Sequence, residues 1–595
     1  MYSVSEAYKE QIEKNVRNFS HVRITFGITN TDAVSAATIA DNGHLSYSDT
    51  AAIALGIGVS SPYATLEPQR WILNGGFSIA DFENPTYQGF VGESLSNSTG
   101  SFTSATKPII TIVFSEYQQF AGLSFQFDDN NRNWYPNDFT VTAYKDNVEV
   151  FTNDYNVNNE YYVINDQIPV CNKIVLQFNS MNHPYARARL ETLIFGVMER
   201  MTEKDITACT CSREADLLST AYPKYDFNFT IFDSQGNYNP ENPTGVWEYL
   251  EQRQPVRASI GYELDGGSIE WMPWANTYTN GDFTVNGTGV NTQVTVKSVG
   301  LINHLTQEYS EGLYYPEGRS LYDLAMDVMT YAGFGGAIDI DLSLKNIISL
   351  QPLPTEQVNT LLQLIANAGR CVLNVERGGS ISITPESTAV QDFTMDFSKM
   401  LEFPETTKIP PLRYINFTYN TITVDTAKTK VVDSEEITAE EATEYTFTHD
   451  AITNQTLTVS GLTATNIKYF AYKTVATLQG TGTVSVSGYK LIYSEAVASK
   501  RYGELGQDFD TLKNELITNA TDANAYIDWV ASVERRRNTY TVSDRGYPEL
   551  DTADTINFTS TYLNNITATQ ISSQIEYKGA ITNKSSKYLI KEAEQ

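Results

Sequence analysis

Apolar and polar residues alternate with a period of two along most of this chain. In DFTVTAYKDNVEVFT (138–152), Phe139, Val141 and Ala143 share one parity, the pattern breaks at Lys145–Asn147, and it resumes with Val148 and Val150. That period puts the apolar side chains on one face of a strand, and the polar break marks a hairpin turn. NKIVLQFN (172–179) repeats the pattern through Ile174, Leu176 and Phe178, and LETLIFGV (190–197) closes a strand-and-turn run that starts near Trp71. Turns every ten residues or so in such a run predict a β-sandwich. Further strands are predicted at HVRITFGI (21–28), YDFNFTIF (225–232), the hairpin 255–279 with its turn at Asp265–Gly267, and VNTQVTVKSVGLI (290–302). After Pro404 the alternation returns in RYINFTYNTITV, QTLTVSGL and TGTVSVSGYKLIYS.

Four segments switch to helical spacing. Ser3 and Glu6 have the spacing of a capping box for a helix running to about Asn18. Ser320 and Asp323 precede the stripe Leu321, Leu324, Ala325 and Val328, with Gly333 as the stop. Thr355 caps a second stripe of Val358, Leu361, Leu362 and Ile365 that stops at Gly369, and the hairpin RCVLNVERGGSISITP follows. Thr521 caps a further helix with Ala525, Trp529, Val530 and Val533 inward and Arg535–Arg537 at its C-terminal end, where the helix dipole favours cations.

A chain of 595 residues exceeds one hydrophobic core and predicts several domains. Its 37 Tyr and 27 Phe suit pleated, half-buried surfaces. The fold class that follows is mainly β and multidomain (α+β). The net charge of −30 argues against nucleic-acid binding by counterion release. The start carries no apolar signal-peptide core, and no run of about 18 apolar residues offers a membrane span. Of the four cysteines, Cys209 and Cys211 share one strand face; packing thiols are expected there and at Cys171 and Cys371.

Candidate chemistry is sparse. HExxH, P-loop, GxSxG and CxxC patterns are absent, and the five histidines lie too far apart for a local metal pair. No catalytic residue, metal ligand or cofactor is therefore assigned. RGYPELDTADTI (545–556) concentrates Glu549, Asp551 and Asp554, but it lacks the Gly and closing Glu of a calcium loop. It reads as a turn redirected by Gly546 and Pro548 and solvated by its acids. Asn131, Arg132, Trp134 and Tyr135 combine aromatic faces with amide and guanidinium donors, a set suited to a sugar ring. The other reading of Trp134 is a core tryptophan beside a polar turn. Arg187 and Arg189 alternate on one strand face and are expected to be solvated or paired within the protein.

Four segments taken in order, YATLEPQRWILNGGF (63–77), the strand–turn–strand of 227–262, the helix pair and hairpin of 319–385, and residues 510–556, resemble the baseplate-hub proteins of long-tailed bacteriophages. NWYPNDFTVTAYKDN and HPYARARLETLIFGV resemble a galactose-binding-like, discoidin-like sandwich. The resemblance implies an N-terminal helix (1–18), a first tail-tube-like β-barrel domain (19–60 plus 199–312), an inserted sandwich (61–198), a small α/β domain (313–400), and a second tail-tube-like domain (401–595) with a helical excursion near 510–538. It further implies a homotrimer that adapts the six-fold tail tube to a three-fold tip, within the virion. Expected partners are a distal tail-tube or adaptor protein and a spike, tape-measure or fibre protein, with DNA passing through the lumen unbound; the acid excess either lines that lumen or is spread over the outer surface. Two alternatives remain: an adhesin for host-surface glycan acting through the sandwich, and a tail-associated cell-wall hydrolase.

Overall fold

The computed structural model describes residues 1–591 except 56–62, 66, 69, 71–74, 76, 78–88, 121, 128–132, 165, 235, 243–245, 289–290, 511–512 and 560–565. The protein is mainly β and built of several sheets. The largest sheet has thirteen strands. Its order begins Gly196–Thr202, Ser20–Thr29, Pro255–Glu263, Ile269–Thr288, Asn291–Val299, Lys224–Asp233 and Ile206–Glu214. It continues without a break into Ile566–Tyr577, Ile581–Lys591, Asn538–Asp544 and Glu405–Lys408. Thr555–Phe558 and Val390–Met395 branch beside Ile566–Tyr577. Two strand sets far apart in sequence are thus sewn together at one antiparallel seam, with Cys209 opposite Tyr577, Cys211 opposite Ile575 and Arg213 opposite Ser573. Cys209 and Cys211 lie on one buried face, as their spacing predicts, and all four cysteines are free and buried.

The residues between the first two strands of that order form a separate aromatic core around Phe90, Phe125, Phe127, Phe139 and Phe178. A five-stranded sheet runs Ala37–Asp41, Ile109–Phe120, Ile168–Met181, Pro136–Lys145 and Val148–Asn156. Thr192–Ile194, Leu123–Gln126 and Tyr161–Ile164 form a smaller one. The hairpin at 145–148 turns on Asp146 and Asn147, both at positive φ (52° and 66°), the conformation a two-residue hairpin loop demands. Strand Ala37–Asp41, given above to the first tail-tube-like domain, belongs to this sheet, and Ala33, Ile53 and Ala54 join its core. Short Gly- and Ala-rich runs carry no sign of which sheet they will join. Thr29 and Gly196 face each other across an antiparallel pair, so the chain leaves and re-enters the large sheet at adjacent points.

Helices Leu321–Tyr331 and Val358–Ala368 carry the expected stripes into the core. Ser320 caps the first, accepting the Asp323 N–H, and Gly333 follows it at φ 81°. They pack beside a three-stranded sheet in which Ile338–Ile340 runs parallel to Ile381–Thr384. Three cap positions differ from expectation. The first helix is Glu6–Glu13, capped by Ser5 rather than Ser3; Gln357, without a side-chain bond, stands in for Thr355; and Asn519, not Thr521, caps Ala520–Glu534. In that last helix Ala523, Tyr526 and Ile527 are buried, while Ala525 and Trp529 are half-buried.

Residues 412–510 depart most from the expected division. Leu412–Thr448, Ile452–Tyr469 and Lys473–Arg501 form a long ribbon, joined at its base by Gln507–Asp510, outside the thirteen-stranded sheet. Of the span 401–595, the large sheet takes strands only from 405–408 and from 538 onward. The period-two pattern identifies strands but not the sheet they pair into.

Candidate functional site: a buried charge lock at the seam

The turn 545–556 is a turn, as its Gly and Pro dictate, with Gly546 at φ 81°. Its acids do not solvate it. Glu549 and Asp554 are buried, and Asp551 lies between two arginines that arrive from other parts of the chain. Arg377 donates to Asp551 at 2.7 Å, and Arg213 forms a second ion pair with the same Oδ1. Arg377 also donates to the carbonyls of Pro548 (2.6 Å), Pro273 (3.0 Å) and Leu550 (3.3 Å), and Arg213 to Val375 O (2.7 Å). Burial alone would raise the Asp551 carboxyl; the Arg377 and Arg213 guanidiniums outweigh it and hold the group well below the usual carboxylate range. Arg213 sits on a seam strand, Arg377 belongs to the hairpin of the α/β unit, and Asp551 belongs to the second strand set. The lock therefore ties three parts of the chain at one carboxylate. Residues 213 and 377 lie more than 170 positions from 551, so no local pattern could have paired them.

Beside the lock, burial pushes Glu549 up to about 7 against the nearby Arg17 and Arg377, and Asp544 up to about 7 against hydrogen bonds from the Gly546 N–H and Asn583. Arg17 spans the same turn, donating to Gly546 O at 2.7 Å and to Arg545 O at 2.6 Å, with its guanidinium 4.9 Å from the Tyr547 ring. The N-terminal helix is thereby fastened to the second strand set. On its other side Ser5 bonds Glu270, in the first set, at 2.8 Å through its N–H. Charged partners meet each other here, and nothing in the arrangement presents an acid/base pair to solvent. Among the described residues no group of three or more His, Cys, Asp or Glu could hold a metal ion.

In the insert, Trp134 is 3% exposed. His183 stacks on it at 4.6 Å and the Arg70 guanidinium lies 5.6 Å from its ring centroid, so it has no free face for a sugar in this conformation. Tyr135 is half-buried and its N–H donates to Asn182 Oδ1 at 3.1 Å. Asn131 and Arg132 lie outside the described residues. Arg189 is buried and paired with Glu67, whose Oε1 also accepts the Arg187 N–H at 2.7 Å. Burial opposes ionisation of Glu67, but Arg189 holds it down at about 2. Arg189 thus braces the sandwich from inside, while Arg187 is half-buried and its side chain donates to the Gly92 and Glu93 carbonyls. The histidines remain dispersed: His21 meets Glu203 at 3.2 Å and His44 meets Asp41 at 2.9 Å. No helix among the described residues is long and apolar enough to cross a membrane.

No family model matches the chain, and no curated protein matches it. Solved structures do. It is similar to the 43 kDa tail protein of prophage MuSo2 from Shewanella oneidensis at 12% identity and TM-score 0.38, over 65% of this chain and 95% of that one. It is similar to the tail protein from Neisseria meningitidis MC58 at 10% identity and TM-score 0.38, over 66% and 94%. Over 29% of its length it is similar to 99% of the family 32 carbohydrate-binding module of C. perfringens NanJ, solved with galactose, at 9% identity and TM-score 0.19. The solved structures that the chain resembles thus include prophage tail proteins and a carbohydrate-binding module.

Proposed function

We propose that the chain is a structural hub of a phage tail tip or baseplate that acts as a homotrimer. The observation that carries this reading is the seam. Two strand sets from one chain already join edge to edge at Ile206–Glu214 and Ile566–Tyr577. The sheet then ends at Gly196–Thr202 on one side and Glu405–Lys408 on the other, each with no further strand partner among the described residues. Repeating the seam between copies joins one chain's Glu405–Lys408 end to the next chain's Gly196–Thr202 end. Such a head-to-tail contact closes into a ring when its rotation allows, and three copies give six strand sets. Around the Glu405–Lys408 end Leu401 is 61% and Phe403 86% exposed, and the Phe397 and Phe403 rings lie 5.8 Å apart. Exposed aromatic groups of this kind mark contact surfaces.

In this reading the first set comprises residues 19–29 and 196–300, the insert runs from about 30 to 195, and the second set comprises 388–408 and 538–591. A tail-tube or adaptor protein stacks on the ring, a spike, tape-measure or fibre protein meets its far side, and DNA passes through without specific binding. The acid excess supports a lumen lined by acidic and neutral side chains, where repulsion acts over a Debye length of about 8 Å. Electron microscopy of assembled tails tests the reading: three copies per tail are expected, and six or one would sink it. Phe403→Glu should leave the monomer folded and abolish the ring.

A further inference from the structure

A cleft of about 720 Å³ lies where the insert, the first strand set and the α/β unit meet. Ile39 and Leu55 line it from the insert, Arg253 and Tyr278 from the first set, His304 from the turn Leu301–His304, and Phe334 from beyond helix Leu321–Tyr331. Small-ligand sites have this size, roughly 300–1,000 Å³, and favour such junctions. The cleft's insert side is pinned in place, because the Tyr278 hydroxyl donates to Leu55 O.

Its chemistry sets it apart from the rest of the surface. None of the described side chains lining it is Asp or Glu, in a chain with 71 of them and a net charge of −30. Arg253 has no ion pair or side-chain hydrogen bond among the described residues, unlike Arg213, Arg377 and Arg536. Its backbone holds φ 66°, a left-handed conformation uncommon outside glycine. His304 Nε2 is buried and has no hydrogen-bond partner. Burial lowers the His304 pKa, with a Tyr278 backbone hydrogen bond opposing and the Arg253 charge adding to the fall. Arg253, a solvent-exposed residue, and His304, with an orphaned ring nitrogen, therefore line one partly apolar space.

We propose that this cleft binds a ligand with one carboxylate and an apolar body, Arg253 and His304 taking the carboxylate and Ile39, Leu55 and Phe334 the body. A carboxylate supplies a counter-charge for Arg253 and, beside His304, the negative charge that favours protonation of Nε2, which then donates to it; charge-assisted bonds of this kind are the strong ones. The class covers a free small acid and the C-terminus of a partner peptide. The inference does not depend on the hub reading.

Calorimetry and ligand-observed NMR on the full chain test it with two probes, 4-phenylbutyrate and acetyl-Leu-Phe as the free acid. Each is compared with its neutral counterpart, 4-phenylbutanol or the peptide amide. At least one acid should bind about ten-fold more tightly than its neutral partner, the factor that ~1.4 kcal/mol supplies. Arg253→Gln, at an exposed position, should remove that preference without lowering the melting temperature, and His304→Asn should weaken it. A preference for the peptide acid identifies a chain terminus as the ligand, and one for phenylbutyrate a small acid. Equal binding of acids and neutral counterparts, no binding of either acid at about 1 mM, or an unchanged preference in Arg253→Gln would overturn the proposal.

Discussion

The thirteen-stranded sheet and the 412–501 ribbon are both antiparallel and both alternate, yet they are held together differently. The sheet packs into one continuous core that also takes in the α/β helices, and the Asp551 lock fastens its two halves from beneath. The base of the ribbon joins that core through Leu412, Ile415, Phe417, Tyr419 and Ala498, but beyond it the ribbon depends on a small core of its own, with Ile437, Phe447, Leu478, Val484 and Val486 at its centre. Its outer positions are Thr, Ser, Lys and Glu, and the ion pairs nearby, such as Lys430–Asp433 and Lys490–Asp450, lie on exposed side chains. Exposed pairs contribute about 0–1 kcal/mol, whereas removing one partner of a buried pair costs about 3–5 kcal/mol. Two strand-rich regions of similar appearance in sequence therefore differ in whether charge does structural work.

The sharpest way to break the contrast is Arg377→Met. It removes one of the two arginines paired with Asp551 and the donor to three carbonyls, so the body should lose about 3–5 kcal/mol in chemical denaturation, while hydrogen exchange in 425–486 stays unchanged. The reciprocal variant, Leu478→Ala, should cost about 2–5 kcal/mol, with the loss of protection confined to the ribbon. Should Leu478→Ala also lower protection at the seam, the two regions fold as one unit.

Acidity separates them further. Glu549 and Asp544 bind protons more tightly folded than unfolded, so their contribution to stability is fully present below about pH 4.5 and is lost as pH rises through about 7. The body's unfolding free energy should fall between about pH 4 and 7, by up to about 1.4 kcal/mol per pH unit for each group, and Glu549→Gln should flatten the profile. Asp551 contributes the opposite slope at low pH, since its depressed carboxyl stabilises the fold above its unfolded value and loses that effect as pH falls. The ribbon should lack the first slope, while His449 at its turn, its pKa lowered by burial, costs the ribbon stability as pH falls below the ordinary imidazole range. The smallest effect is expected from replacing residues 30–195 with Asn-Gly. Because Thr29 and Gly196 are register partners, the new link is a two-residue hairpin turn, and the body should stay folded, losing only the contacts that the insert makes with it, the Arg257–Glu191 ion pair among them.

Local periodicity made much of the fold legible. The Asp146–Asn147 turn, the stripes at 321–328 and 358–365, and the pairing of Cys209 with Cys211 on one face all follow from spacing alone. Caps were legible only to within two residues, because Ser3 and Ser5, or Asn519 and Thr521, are chemically equivalent candidates and tertiary packing chooses between them. Sheet membership was not legible. Ala37–Asp41 and the ribbon strands carry the same alternation as the strands of the large sheet, and partner choice depends on surfaces far away in sequence. The 549–554 acids were misread for the same reason: an acidic turn looks solvated until Arg213 and Arg377 are placed above it.

The adjacency of Thr29 and Gly196 also fixes how the insert can be pulled. Tension on the insert along the strand axis draws Ser20–Thr29 and Gly196–Thr202 in the same direction, so the pair does not slide against itself. The load passes to Pro255–Glu263, whose register with Ser20–Thr29 runs from Ser20 opposite Tyr262 to Phe26 opposite Val256. Those bonds are strained together in shear and share the force. A sideways pull peels them one after another from the Phe26 end and meets far less resistance. The insert is thus mounted like a tow hitch, strong along one axis and weak across it.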